Sequence, residues 1–159
     1  MGRDNKGQVI VEFALVGLLL FILIFGLIDL AFMFYVNLTM QHAVRQGTRY
    51  AVTGQSDLGT DRRSALITKI QECSNGLYDK NLNDPKEPQI SVIHADQVNF
   101  TNFSGTRTAS TANPGNPNDI IVVSLTYKRK FLTPMWTPFF PNGEYTFTVK
   151  STMKNESFD

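Results

Sequence analysis

The side chains that could perform chemistry in this chain of 159 residues are few and widely spaced. His42 and His94 have no Cys, Asp or Glu at the spacing of a metal site or a catalytic triad. Cys73 is the single cysteine, which excludes a disulfide within the chain and a cysteine-clustered metal site. No glycine-rich phosphate loop is present. We therefore expect no enzyme activity, no cofactor, no bound metal and no small-molecule substrate.

The charge balance gives no indication of a nucleic-acid partner. The chain carries 15 Lys and Arg against 14 Asp and Glu, a formal net charge of +1. Proteins that bind nucleic acid usually carry a basic face that neutralises phosphates. We therefore expect no nucleic-acid partner.

One carboxylate stands in an unusual place, because Glu12 lies inside the apolar segment GQVIVEFALV. A carboxylate at bilayer depth is unfavourable unless something neutralises it, by roughly 2.5–3.5 kcal/mol for Asp at the centre of a span on insertion scales. Two interpretations are open. Glu12 either lies at headgroup level near the first helical turn, where its charge suits the helix dipole, or it is neutralised by a partner.

The element that positions Glu12 is a long apolar segment. Residues 13–28 read FALVGLLLFILIFGLI, and after Asp29 the apolar run resumes to Val36. This exceeds the roughly 20 residues that cross a hydrocarbon core of about 30 Å. A domain of about 100 residues is too small to wrap a helix that is apolar all round, and the apolar region of a signal peptide is shorter, about 7–15 residues. The sequence therefore predicts a transmembrane helix.

This helix should continue beyond the bilayer. The following segment, LTMQHAVRQGTRYAV, alternates polar and apolar residues at helical spacing. We predict one helix from about Val9 to about Val52, about 65 Å long, with its outer half covered on one side by the domain that follows. The N-terminal segment MGRDNKG is short and basic, which favours a cytoplasmic N-terminus and a domain on the other side of the membrane.

The first third of the chain resembles the TadE-like family, the pseudopilin-like minor components of tight-adherence pilus systems. The resemblance is carried by the apolar span with its leader and by an Ala-x-Arg-x-Gly-x-Arg-Tyr-Ala segment at residues 43–51. The closing STMKNE resembles the C-terminal end of the family, whereas the middle of the chain does not contribute. The matching positions are Gly7, Glu12, Phe13, Gly26, Asp29, Ala43, Arg45, Gly47, Arg49, Tyr50 and Ala51.

The resemblance implies a location in the bacterial inner membrane and processing by an aspartic prepilin peptidase, which would cut between Gly7 and Gln8. The cut would create an α-amino cation on Gln8, and Glu12 of a neighbouring subunit would neutralise it. Other pilins or pseudopilins and the pilus assembly platform are the further partners implied. The assembly residues implied by the resemblance are Glu12, Phe13, Asp29, Arg45 and Arg49.

The rest of the chain predicts a small domain. We divide the chain into a leader at residues 1–7, the helix at 8–52 and an extracytoplasmic domain at 53–159. Thr60 is predicted to cap a helix through DRRSALITKIQECS, and strands are predicted at residues 89–94, 120–127 and 145–153. Asn142-Gly143 is a turn signal before the last strand, so we expect the last two strands to be adjacent, joined by a loop too long for a tight hairpin. Residues 102–119 are predicted to form a surface loop. The predicted fold class is α+β: a long N-terminal helix on an antiparallel sheet with one further helix, as in pilins.

Between the last two strands lies FLTPMWTPFFPNG, with Trp136, Phe139 and Phe140 among three prolines. If exposed, this segment would be an interaction patch or a membrane-surface contact. If buried, it would close one end of a small core, which is the interpretation we favour.

The predicted function is that of a minor pilin or pseudopilin, acting in pilus assembly or priming through helix packing. Two alternatives remain. One is a membrane-anchored binding or adhesion module, for which the helix is only a tether. The other is an envelope enzyme, which would require a pocket with convergent polar groups.

Overall fold

A computed structural model describes residues 6–78, 89–93, 108–109 and 114–157. The predictions for leader residues 1–5, for His94 and for most of the loop at 102–119 lie outside the described residues. The predicted α+β class is confirmed: a long helix and a shorter one accompany an antiparallel sheet. The helices and strands are α1 (Lys6–Val52), α2 (Arg62–Cys73), β1 (Gln89–Ile93), β2 (Thr108–Ala109), β3 (Ile120–Lys130) and β4 (Glu144–Lys154).

The helix α1 is uninterrupted over 47 residues, about 70 Å at 1.5 Å per residue. It begins three residues before the predicted start and ends at the predicted residue, Val52. The large apolar side chains from Val9 to Ile28 are 40–77% exposed, so the described domain leaves this half of α1 uncovered. Farther along, one face is buried and the other exposed, as predicted. The buried positions recur at helical spacing and are Val36, Met40, Ala43, Val44, Gly47 and Ala51.

The N-terminus of α2 lies one residue later than predicted, because Asp61 and not Thr60 is its N-cap. The Asp61 carboxylate accepts a hydrogen bond from the Ser64 N–H at 2.8 Å, and the Asp61 N–H donates to the Ser64 hydroxyl at 3.0 Å. These two bonds form a capping box. A carboxylate also suits the positive end of the helix dipole better than a hydroxyl does, which explains the preference for Asp61.

The two helices pack closely at Gly47. Leu66 and Ile70 of α2 are fully buried, and Cys73 packs against the same core. A Cβ atom built on Gly47 would lie 2.5 Å from Cγ1 of Ile70 and 3.1 Å from the carbonyl oxygen of Leu66. Only glycine therefore allows this approach of α2 to α1.

The sheet has the order β2-β1-β3-β4, with every pair antiparallel. The last two strands are neighbours, as predicted, and pair along eleven residues each. Asn142 and Gly143 have φ angles of 58° and 65°, the left-handed conformation that the turn signal predicted. The loop prediction was wrong at β2, because Thr108–Ala109 pairs with the open edge of β1. The sheet residues buried in the core are Ile90, Val92, Ile121, Val123, Leu125, Tyr127 and Val149.

The C-terminal end of α1 is held by two distant groups. Arg62 donates from Nη2 to the carbonyl of Ala51 at 2.6 Å and from Nη1 to that of Gly115 at 2.7 Å. The N–H of Glu156 donates to the carbonyl of Val52 at 3.1 Å. The last carbonyls of a helix have no partner within it, so these bonds fix the end of α1 to α2 and to the segment after β4.

We expect Gly47→Ala to lower the free energy of unfolding of the domain by about 1–3 kcal/mol, the usual cost of overpacking a core. The measurement is urea unfolding in detergent micelles, followed by tryptophan fluorescence. Gly17→Ala is the matched control, since a Cβ at Gly17 meets no atom within 4 Å. Equal stabilities of the two variants would contradict the close packing of α2 on Gly47.

Candidate functional site

The residues singled out from the sequence lie at separate levels of one helix and do not form a single site. Glu12 and Asp29 are 17 positions apart, about 26 Å along the axis, and Arg45 lies about 24 Å farther on. Phe13 adjoins Glu12, and Arg49 is one turn beyond Arg45. Any function of this set must therefore act along the length of α1.

The N-terminal group is accessible. Gly7 and Gln8 lie in the first turn of α1, and both are exposed. A Cβ atom on Gly7 would meet nothing within 4 Å. Glu12 is exposed, and Phe13 is 77% exposed. The described chain thus leaves these four residues open to another molecule.

Asp29, by contrast, is only 3% exposed. Its Oδ1 accepts hydrogen bonds from the N–H of Leu132 at 2.9 Å and from the N–H of Thr133 at 3.3 Å. Its Oδ2 accepts a hydrogen bond from the Thr133 hydroxyl. Two backbone donors and one hydroxyl compensate the buried carboxylate. The structure therefore gives Asp29 a contact within the chain, and its role in assembly stays a prediction.

This contact holds residues 131–140, here called the aromatic segment, against α1. Trp136, in its short 3₁₀ helix, packs on Gly26, where a Cβ atom would lie 3.2 Å from Cζ2 of the indole. The indole N–H has no hydrogen-bond partner among the described residues. Packing on Gly26 and the bonds of Asp29 therefore position the ring.

The aromatic segment closes the core only in part. The ring of Phe131 packs at 4.7 Å from that of Phe140 and at 5.3 Å from that of Tyr145, centroid to centroid. Burial raises the pKa of Tyr145, and the nearby Arg129 guanidinium opposes this rise, so the phenol is neutral at physiological pH. Phe139, however, is 76% exposed. The interpretation that we favoured is therefore wrong for Phe139 and for Phe140, which is 39% exposed.

Sequence reasoning singled out Asp29 but missed its partners. Leu132 and Thr133 are 103 and 104 positions away, and no local pattern connects them to Asp29. The available signal was the spacing of Gly26 and Asp29, which places both on one face of α1. A glycine leaves room for a ring there, and the carboxylate next to it offers an acceptor.

The face of α1 that points away from the domain stays apolar beyond Asp29. Phe34 and Leu38 are 59% and 63% exposed, and the exposed Arg45 and Arg49 follow on the same side. Steps of three and four residues are typical of the contact line between helices that pack side by side. The positions of this outward stripe are Phe13, Gly17, Leu20, Ile24, Leu27, Ala31, Phe34 and Leu38.

A groove of about 570 Å³ lies beside the outward stripe. Leu30, Met33 and Phe34 of α1 form one wall, and Tyr145 and Phe147 of β4 form part of the other. Its lining is mainly apolar, which suits an apolar side chain better than a charged ligand. Among the described residues, no three His, Cys, Asp or Glu side chains come together as a group that could hold a metal ion.

Comparison with known proteins supports the resemblance found in the sequence. Residues 7–49 match the family described as TadE-like protein, which confirms the TadE-like resemblance. The matched range lies within α1, the one helix of the described residues that is long and apolar enough to cross a membrane. No curated protein and no solved structure matches the chain. The match and the helix together suggest a membrane-anchored minor component associated with tight-adherence pili.

We expect Asp29→Ala to destabilise the domain by about 3 kcal/mol and to free Trp136, because it removes three bonds to a charged acceptor and leaves their donors unpaired. Thr133→Val removes only the hydroxyl bond and should cost about half as much. Urea unfolding in micelles measures both losses, and iodide quenching of Trp136 reports its release. Equal losses for the two variants would show that the backbone bonds to Asp29 contribute nothing.

Proposed function

We propose that this protein is a minor pilin or pseudopilin of a tight-adherence pilus system, which acts in assembly or priming by packing α1 against helices of other subunits. The observation that carries this proposal is the outward stripe, which extends past Asp29 to Leu38. A tether needs apolar surface only inside the bilayer. Exposed apolar surface beyond the bilayer is expected where a helix meets a partner.

The groove beside the outward stripe supports the same proposal. Leu30 and Phe34 border the groove as well as the exposed side of α1. A neighbouring helix on the stripe could place an apolar side chain in this groove, in the way that side chains fill the gaps between packed helices. The exposed Arg45 and Arg49 would then lie at the outer end of the same contact.

The proposed orientation has the N-terminus in the cytoplasm and the domain outside the inner membrane. Arg3 and Lys6 precede the span, and short basic segments tend to remain cytoplasmic. This orientation brings Gly7 and Gln8 to the cytoplasmic face, where a prepilin peptidase would act. Both residues are exposed in the first turn of α1, as access by a peptidase would require.

Glu12 has a defined part in the proposal. After cleavage, Gln8 would carry an α-amino cation four positions before Glu12, on the same side of the helix. An axial shift of about 6 Å between neighbouring helices brings the amine of one subunit level with the carboxylate of the next. Each subunit would then neutralise a charge that is unfavourable in the bilayer.

We expect Gly7→Leu to leave the leader attached, because the larger side chain keeps the peptidase from the backbone at the cut. A Cβ at Gly7 meets nothing within the chain, so folding should not change. The mass of the N-terminus, measured in cells with and without the peptidase, gives the result. Gly17→Leu is the control, since it adds the same side chain in equally open space and should be cleaved normally. Cleavage of Gly7→Leu after position 7 would refute this processing site.

We expect Glu12→Gln to insert into the membrane and to be processed normally, yet to associate weakly with pilus components. Removing one partner of a buried ion pair costs about 3–5 kcal/mol, which at about 1.4 kcal/mol per factor of ten is at least a hundredfold in affinity. Leu38→Ser should weaken the same association, because it places a hydroxyl on the outward stripe. The measurement is crosslinking and co-purification, normalised to the amount of each variant in the membrane.

Glu156→Gln is the matched control for charge, since Glu156 is exposed at the far end of α1. It should co-purify at full strength. If Glu12→Gln and Leu38→Ser also co-purified at full strength, α1 would be only a tether. That outcome would refute the packing proposal and favour the membrane-anchored binding or adhesion module.

A further inference from the structure

We propose that the aromatic segment is a second membrane contact, which inserts into the interface of the same bilayer that α1 crosses, on the side of the domain. Its occupant is lipid, with the apolar side chains at the level where the acyl chains end. This inference depends on α1 spanning a bilayer and not on a role in pili.

The level of the aromatic segment along α1 supports this contact. From Val9 to Asp29 the helix rises about 30 Å, the thickness of a hydrocarbon core. Asp29 binds the N–H of Leu132, and Trp136 packs on Gly26, one turn deeper. When the apolar half of α1 fills the bilayer, the aromatic segment therefore lies at its boundary. Tryptophan is enriched at this boundary in membrane proteins.

The side chains of the aromatic segment suit lipid better than water. Leu132, Phe139 and Phe140 are 58%, 76% and 39% exposed. Pro134 and Pro138 are exposed beside them. No residue between positions 131 and 143 carries a charge. Burying an uncharged, apolar surface of this kind at the boundary between headgroups and acyl chains is favourable.

Basic residues lie at the level of the lipid headgroups. The strand β3 ends in Lys128, Arg129 and Lys130, immediately before the aromatic segment. Lys130 is exposed and lies two positions before Leu132, whose N–H donates to Asp29. Arg129 lies over the ring of Phe32 on α1, 5.9 Å from its centroid. Lys and Arg side chains near an anionic bilayer surface are attracted to its headgroups.

A second protein subunit is the competing occupant, and geometry favours lipid. The helix α1 already fixes the aromatic segment at the bilayer boundary, so contact with lipid needs no further loss of translational freedom. A subunit would have to reach the same surface from within the lipid interface. The membrane contact would limit the depth of α1 and the tilt of the domain over the bilayer.

Trp136 is the single tryptophan of the chain, which allows one reporter to be moved. The test places the full-length protein, one copy per disc, in nanodiscs of phosphatidylcholine and phosphatidylglycerol, which expose both bilayer faces. On a Trp136→Phe background, Phe139→Trp puts the reporter at the exposed tip. Gln55→Trp on the same background is the control, since Gln55 is exposed beyond Val52, the far end of α1. Val52 lies about 35 Å along the helix axis from Asp29.

We expect the Phe139→Trp variant to emit at shorter wavelength than the Gln55→Trp control and to be quenched several-fold more by lipids brominated near the headgroup. Iodide should quench it several-fold less than the control. Equal iodide quenching of the two variants, without quenching by brominated lipid, would overturn the proposal. If the Trp at position 139 were protected from iodide only in discs that hold two or more copies of the protein, a second subunit would cover this surface. That outcome would also overturn the proposal.

Discussion

The carboxylate of Asp29 lies where α1 passes from an all-round apolar surface to a surface covered on one side, and the rest of the structure depends on this junction. A carboxylate at the end of an apolar span is unfavourable unless it has donors. Leu132 and Thr133 supply them from the connection between β3 and β4. The same bonds bring Trp136 onto Gly26. One acidic side chain thus determines where the domain begins along the helix.

The outer half of α1 is attached to the domain at both of its ends. Asp29 fixes the end nearer the N-terminus. Arg62 and the N–H of Glu156 bind the carbonyls at the C-terminal end. Between them, Gly47 allows α2 to pack against the helix at close range. An element fixed at two ends and packed between them moves with its partner. Any displacement or tilt of α1 is therefore passed to the domain, and α1 carries the family match as well.

The outward surfaces of the protein and its buried polar groups differ in chemical character. The outward stripe, the groove beside it and the aromatic segment are all mainly apolar, whereas the buried polar groups serve the fold. Asn155, for example, is 2% exposed and donates from Nδ2 to the carbonyls of Pro114 and Asn116. Its backbone N–H donates to the carbonyl of Asp119 at 2.7 Å. These bonds anchor the segment that follows β4 to the loop before β3.

Periodicity alone determined much of this structure. An apolar run followed by a one-sided pattern predicted one helix ending at Val52. A β-branched apolar run predicted β3, and alternation predicted β4, because both patterns are local consequences of backbone geometry. The partners of Asp29, the packing of Trp136 on Gly26 and the pairing of Thr108–Ala109 with β1 needed the tertiary structure. These contacts join residues far apart in the chain, and a residue type does not identify its partner. The same limit applies to Phe139, because an aromatic residue type favours burial and only the tertiary structure shows this ring to be exposed.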